Sequence, residues 1–197
     1  MRIITGKYKG RHFDIPRTFK ARPTTDFAKE NIFNVLQHHV AFDGATALDL
    51  FSGTGSITLE LMSRGCSHVV SVEADRDHHR FIHQCVNKLL DSSPAGEPVC
   101  SVQCLKADVF RYVKSCRMKF DIVFADPPYA LPQLSTLPDL ILSKRMLTEG
   151  GILVLEHGKD YDFSQHCCFM EHRQYGSVNF SLFTVPDTGA ASESSIS

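Results

Sequence analysis

An apolar run, Ala47-Leu48-Asp49-Leu50-Phe51, stops at Ser52-Gly53-Thr54-Gly55 and resumes as Ser56-Ile57-Thr58-Leu59-Glu60-Leu61. This reads as a buried strand, a tight glycine turn and the opening of a helix, the layout of a nucleotide-binding corner. Gly53 and Gly55 admit backbone angles closed to other residues and let a ligand approach the main chain, while the helix N-terminus offers free N–H donors. The dinucleotide fingerprint places a third glycine where Thr58 stands, and no Lys-Ser/Thr pair follows as a phosphate loop requires. Asp49 instead suits a cationic or amine-bearing ligand, a description that S-adenosylmethionine meets.

From Ala45 onward, strand and helix patterns alternate. The pattern predicts a helix at about 56–64, a strand over His68–Glu73, a helix from Asp75 to Leu90 and a strand from Val99 to Leu105. A short helix at Val109–Ser115, a strand at Phe120–Ala125, a helix near Ser135–Leu142 and a strand at Gly151–Glu156 follow, then two strands near Cys167–Arg173 and Ser177–Val185. Alternation implies an α/β fold with a mostly parallel sheet, and the last two strands an antiparallel hairpin at one edge. Ahead of this domain, over 41–186, residues 1–40 read as an extension: a hairpin over residues 2–15, then a helix capped by Thr24 or Thr25 that runs to about Val40. Its apolar face carries Ala28, Ile32, Val35, Leu36 and His39, with Lys29 off the packed surface. Residues 187–197 read as a disordered tail.

Charge divides along this boundary. The net charge is -1, yet residues 1–40 carry +5 and the remainder -6. A basic segment on an acidic body points to a polyanion met at one end by Arg2, Lys7, Lys9, Arg11 and Arg22. No apolar run is long enough to span a membrane and no signal segment is evident, so a cytoplasmic protein is expected. The seven cysteines lack a Cys-x-x-Cys pair, which favours reduced thiols, with Cys167-Cys168 packed in a strand. His79 and His83 share a helix face, but no Glu completes a zinc motif; His78, His79 and His83 read as solvated and no metal is expected.

In an open sheet of this kind ligands bind beyond the carboxyl ends of the strands. Asp49, Glu73, Asp108 and Asp126 fall there in succession. Glu73 can accept from both ribose hydroxyls and Asp108 from an adenine amine, although both positions also suit helix capping. Asp126-Pro127-Pro128-Tyr129 is more specific: two prolines remove two N–H donors, leaving a carboxylate and carbonyls as an acceptor-only cradle beside an aromatic ring. That suits a planar base with an exocyclic amine. Asp126 and the Pro127 carbonyl would accept the amine hydrogens, Tyr129 would stack, and Asp126 or water would take the released proton.

The sequence resembles the class I S-adenosylmethionine-dependent methyltransferases and, within them, the bacterial RsmD family, which methylates guanine N2 in 16S ribosomal RNA. The resemblance rests on Arg2-Ile3-Ile4-x-Gly6-x-x-x-Gly10-Arg11, on Arg22-Pro23-Thr24-Thr25-Asp26 with Glu30, Phe33 and Asn34, on Leu48–Gly55, and on Asp126–Tyr129. It implies a Rossmann-like seven-stranded sheet with an RNA-binding extension. The substrate it implies is the small ribosomal subunit or an assembly intermediate of it; nothing in the body of the chain calls for more than a monomer, so a monomer is expected. Catalytic roles are expected at Asp126, Pro127 and Tyr129. Cofactor binding is expected at Asp49, Phe51, Ser52, Gly53, Gly55, Glu73, Ala74, Asp108 and Asp126. The chain departs from the family pattern at Phe27-Ala28, where an arginine usually follows the aspartate. Because adenine N6 offers the same amine to Asp-Pro-Pro-Tyr, an adenine-N6 methyltransferase on DNA or RNA is an alternative, and a non-catalytic RNA-binding assembly factor of the same fold is a second.

Overall fold

The structure, a computed structural model, describes residues 1–19, 25–94 and 99–185. Arg22, with the Pro23-Thr24 part of its motif, and the expected tail lie outside the described residues. Seven strands form one sheet in the order β3-β2-β1-β4-β5-β7-β6: β1 (Thr46–Leu50), β2 (His68–Glu73), β3 (Ser101–Lys106), β4 (Phe120–Ala125), β5 (Leu147–His157), β6 (Phe169–Tyr175) and β7 (Val178–Thr184). Strands β1 to β5 pair in parallel, while β7 runs antiparallel to both β5 and β6. The expected fold and edge hairpin are present. β7, the last strand in the chain, lies inside the sheet, between β5 and β6.

Near-continuous apolar runs in β1, β2 and β4 bury both sheet faces, as a parallel sheet covered on two sides requires. On one face Ala47, Val69, Ile122, Phe124 and Val154 pack with the first three helices: α1 (Asp26–Leu36), α2 (Ser56–Ser63) and α3 (Arg76–Asp91). On the other, Leu48, Leu50, Val70, Val123 and Leu153 meet α4 (Val109–Ser115) and α5 (Leu137–Ser143), the latter preceded by a 3-10 turn at Leu134–Thr136.

The N-terminal segment departs most from expectation. Instead of a strand ladder it forms one isolated bridge, Arg2 to His12, flanked by backbone bonds such as Ile3 N–H to Arg11 C=O at 3.0 Å. The reason is that its donors are spent on α2. Ile4 and Thr5 N–H donate to the Glu60 carboxylate at 2.8 and 3.1 Å, Lys7 N–H to the Ser63 carbonyl at 2.7 Å, and Tyr8 N–H to Ser63 Oγ at 2.9 Å. Gly6 makes this approach possible: at φ +88°, a Cβ there would lie 1.8 Å from the Ser63 carbonyl oxygen. Covered by this arm, all eight residues of α2 are buried.

Thr25 caps α1, its hydroxyl accepting from Ala28 N–H at 3.1 Å. The helix ends at Leu36 rather than Val40, leaving His39 exposed and 3.3 Å from Glu171. Lys29, expected off the packed surface, is fully buried: its Nζ donates to the Arg2 carbonyl at 2.6 Å and to Ser56 Oγ at 2.9 Å, and lies 3.8 Å from Glu60. Arg64 Nε donates to the same carboxylate at 2.9 Å. One buried glutamate thereby ties the arm to α1 and α2, a network that is costly to break because each charge depends on its partners. β5 begins earlier than expected, at Leu147, with a register break against β4. Cys167 and Cys168 precede β6 rather than lying within it, their thiols 3.7 Å apart.

Candidate active site

Strand order reverses between β1 and β4, and there, at the carboxyl ends of β1, β2, β4 and β5, a cavity of about 710 Å³ opens. Its size is that of a small-molecule site. Asp49, Phe51, Ser52, Gly53, Glu73, Ala74, Asp126, Pro127 and Tyr129, all expected site residues, line it.

The corner at its floor is fixed from several directions. Gly55 caps α2 in the left-handed region at φ +78°, and a Cβ there would lie 2.9 Å from Ile82 Cγ1. Gly55 therefore shapes the turn without lining the cavity. Phe51 holds φ +60°, a region that few bulky residues occupy, with its ring against Phe110. Ser52 Oγ donates to the Asp49 carbonyl at 2.8 Å and accepts from Ser71 Oγ at 2.8 Å. Asp49 itself is buried, and its carboxylate accepts from Thr58 N–H at 2.9 Å and Thr58 Oγ1 at 2.5 Å, clamping α2 to β1. Desolvation pushes this carboxyl up to about 7, against the pull of the Thr58 bonds.

Glu73 accepts from Gly53 N–H at 2.8 Å and Asp75 N–H at 2.7 Å, one bond to each oxygen, which orients it and leaves lone pairs toward the cavity. Asp75 caps α3 through Asp77 and His78 N–H. Asp108 caps α4, accepting from Arg111 N–H at 2.9 Å, and is not among the cavity-lining residues. The geometry therefore carries the capping role at this position.

At the mouth, Asp126 N–H donates to the Leu50 carbonyl at 3.3 Å, placing the first residue of Asp126-Pro127-Pro128-Tyr129 beside the end of β1. The Tyr129 hydroxyl donates to Glu156 Oε1 at 2.9 Å, and its ring lies 3.4 Å from where a Cβ on residue 158 would stand, space that Gly158 leaves open. Burial, with the nearby Glu156 and Asp126 carboxylates, pushes the Tyr129 phenol well above its usual range. Glu156, a buried carboxylate ending the run of β5 within the cavity wall, was missed by the sequence reading, although the rule that singled out the other strand-end acids applies to it equally. Thr25, Ser56, His78, Ser177 and Val178 also line the cavity; His78, expected to be solvated, packs its ring 4.3 Å from that of Phe19.

His79 and His83 form no pair: His79 Nε2 meets the Cys104 carbonyl at 3.2 Å and His83 Nδ1 meets Asn87 at 3.3 Å. Among the described residues, the metal-ligand atoms that cluster are those of the consecutive His166, Cys167 and Cys168, none of which lines this cavity. Of the expected basic set, Lys7, Lys9 and Arg11 are exposed on the arm, and Arg2 Nε pairs with Asp26 at 3.2 Å.

An acid-lined cavity at the switch point of this sheet, opened by a glycine corner and closed by Asp-Pro-Pro-Tyr, defines a class I methyltransferase architecture. The Escherichia coli structure described as a candidate methyltransferase, yhhF, is 24% identical, with a TM-score of 0.77 over 93% of this chain and 96% of that one. That of the Thermus thermophilus 16S rRNA N2 G1207 methyltransferase RsmC, bound to AdoMet and guanosine, shares the fold at 18% identity and a TM-score of 0.63, covering 83% of this chain and 44% of that one. The family described as Conserved hypothetical protein 95, the RsmD family, matches residues 1–184, and the chain belongs to it. YlbH of Bacillus subtilis, named as a candidate rRNA methyltransferase, is 32% identical over 84% of this chain and 86% of its own length. Ribosomal RNA small subunit methyltransferase D of Escherichia coli is 28% identical over 79% of this chain and 74% of its own length. Among the described residues, no helix is long and apolar enough to cross a membrane.

Proposed function

We propose that the protein transfers a methyl group from S-adenosylmethionine to the N2 amine of a guanine in 16S ribosomal RNA. The reading places it in the cytoplasm, acting as a monomer on the small subunit or an assembly intermediate. The observation that carries it is the junction of Asp126-Pro127-Pro128-Tyr129 with the glycine corner in one cavity.

The donor set fits the cofactor. Asp49 and Glu73 offer carboxylates to a cationic amino-acid end and to ribose hydroxyls, and Phe51 and Ile57 offer apolar walls. Bound there, the cofactor supplies an electrophilic methyl on a sulfonium. The chain does the rest. Asp126 and the Pro127 carbonyl accept the two hydrogens of the amine, turning its lone pair out of conjugation with the ring. Tyr129, its hydroxyl tied to Glu156, holds the base face in position. Asp126 or water then receives the proton released by the methylated amine. A base inside a duplex cannot reach this cradle, so an unstacked nucleotide is the natural target. The exposed Lys7, Lys9 and Arg11 would meet phosphates, with Arg2 and Arg22 as further candidates.

The test is transfer from radiolabelled S-adenosylmethionine to unmodified small subunits, with the labelled nucleoside identified. N2-methylguanosine is expected. N6-methyladenosine would overturn the base, and cofactor binding with no label in any subunit RNA would favour the non-catalytic assembly factor.

A further inference from the structure

We propose that Glu156 selects guanine by accepting the N1–H that lies next to the target amine, an inference that rests on the guanine-N2 reading above. Ala125 and Leu155 are register partners at the end of the parallel pair β4 and β5, and Asp126 and Glu156 are the residues that follow them in the chain. Both line the cavity. Together they bring two carboxylates to the wall, and Pro127 and Pro128 between Asp126 and Tyr129 contribute carbonyls and no N–H. The hydroxyl of Tyr129 spends its single proton on Glu156 Oε1 at 2.9 Å, so it too has no donor for a base.

A pair of carboxylates matches one base edge. Guanine alone carries its exocyclic amine beside a ring N–H, giving adjacent donors to two carboxylates. Adenine and cytosine place a ring-nitrogen lone pair beside their amines, and that lone pair would face Glu156, 5% exposed, with no proton between them. The tetrapeptide alone does not distinguish these bases; the end of the neighbouring strand does. A site built to accept from a buried N–H rejects an analogue lacking it far more strongly than a difference in shape could.

The test uses small subunits reconstituted with either guanine or 2-aminopurine at the nucleotide identified by the labelling experiment. 2-Aminopurine keeps the N2 amine and carries a lone pair at N1. The wild-type enzyme should prefer guanine by about a hundredfold or more in kcat/KM. In Glu156→Gln the side-chain oxygen still accepts from Tyr129, which turns the amide N–H₂ toward N1. That variant should lose rate on guanine, gain on 2-aminopurine, and bring the ratio within about tenfold. Equal wild-type use of both bases would overturn the proposal, whatever the variant does. So would an unchanged ratio in the variant, or equal loss on both bases with cofactor binding intact. Failure of the wild type to label any guanine would instead remove the functional reading on which this one rests.

Discussion

At the scale of single residues, Asp49 shows what burial does to a catalytic corner. Its carboxyl, pushed up to about 7, holds a proton in the folded state between the unfolded value near 4 and neutrality, so stability should fall as pH rises through that window. Asp49→Asn keeps an acceptor for Thr58 and should flatten this dependence, stabilising the ligand-free protein by about 1–3 kcal/mol at pH 8 in urea unfolding. The same change should weaken S-adenosylmethionine binding, because a cationic ligand favours the ionised form. Wild-type affinity should accordingly fall as pH drops below 7, read by titration calorimetry; a flat profile would confine Asp49 to clamping α2. Asp126→Ala is expected to abolish methyl transfer while leaving cofactor affinity within a few-fold, and equal loss of both would assign Asp126 to the cofactor instead. Asp49, Glu73, Asp108 and Asp126 were legible from their place at the ends of expected strands, and Glu156, which shares that place, was overlooked. Whether such an acid faces a cavity or caps the next helix was not legible, since Asp108 has a strand-end setting like that of Glu73 and caps α4, while Asp75 both caps α3 and lines the cavity.

At the scale of elements, the parallel sheet and its antiparallel hairpin could be read from the alternation of strand and helix patterns, whereas the strand order and the arm could not. Its Gly-punctuated, alternating residues satisfy a hairpin pattern, and nothing local reveals that Glu60, more than fifty residues later, takes two of its N–H groups. Lys29 was misplaced for the same reason: a lysine on an amphipathic helix reads as solvated unless its partners are known. Glu60→Ala should cost about 3–5 kcal/mol in urea unfolding, because it strands the buried Lys29 and frees the arm. Amide exchange at Ile4 and Thr5 should rise with it. Lys29→Met, which leaves Glu60 bonded to Arg64 and the arm, should cost less, about 1–2 kcal/mol. If the two variants were equally destabilised, the glutamate would not be the hub that its contacts describe.

For the whole molecule, positive charge on the arm at Lys7, Lys9 and Arg11 is separate from the cavity that Asp49, Glu73, Asp126 and Glu156 line. Replacing Lys7, Lys9 and Arg11 by Ala should weaken RNA binding and lower the salt slope by about 2–3, measured by filter binding from low to physiological salt. Unchanged affinity would leave the charge division without a polyanion to explain it. A last consequence belongs to biosynthesis. Because β7 is made after β6 yet sits between β6 and β5, a growing chain holds β5, and Glu156 with it, at an open sheet edge until Val178–Thr184 emerge. A chain that has not yet made Val178–Thr184 has its glycine corner, but the strand that carries Glu156 lacks its partner on one side, so the wall beside Asp126 is completed only by the last strand to be synthesised.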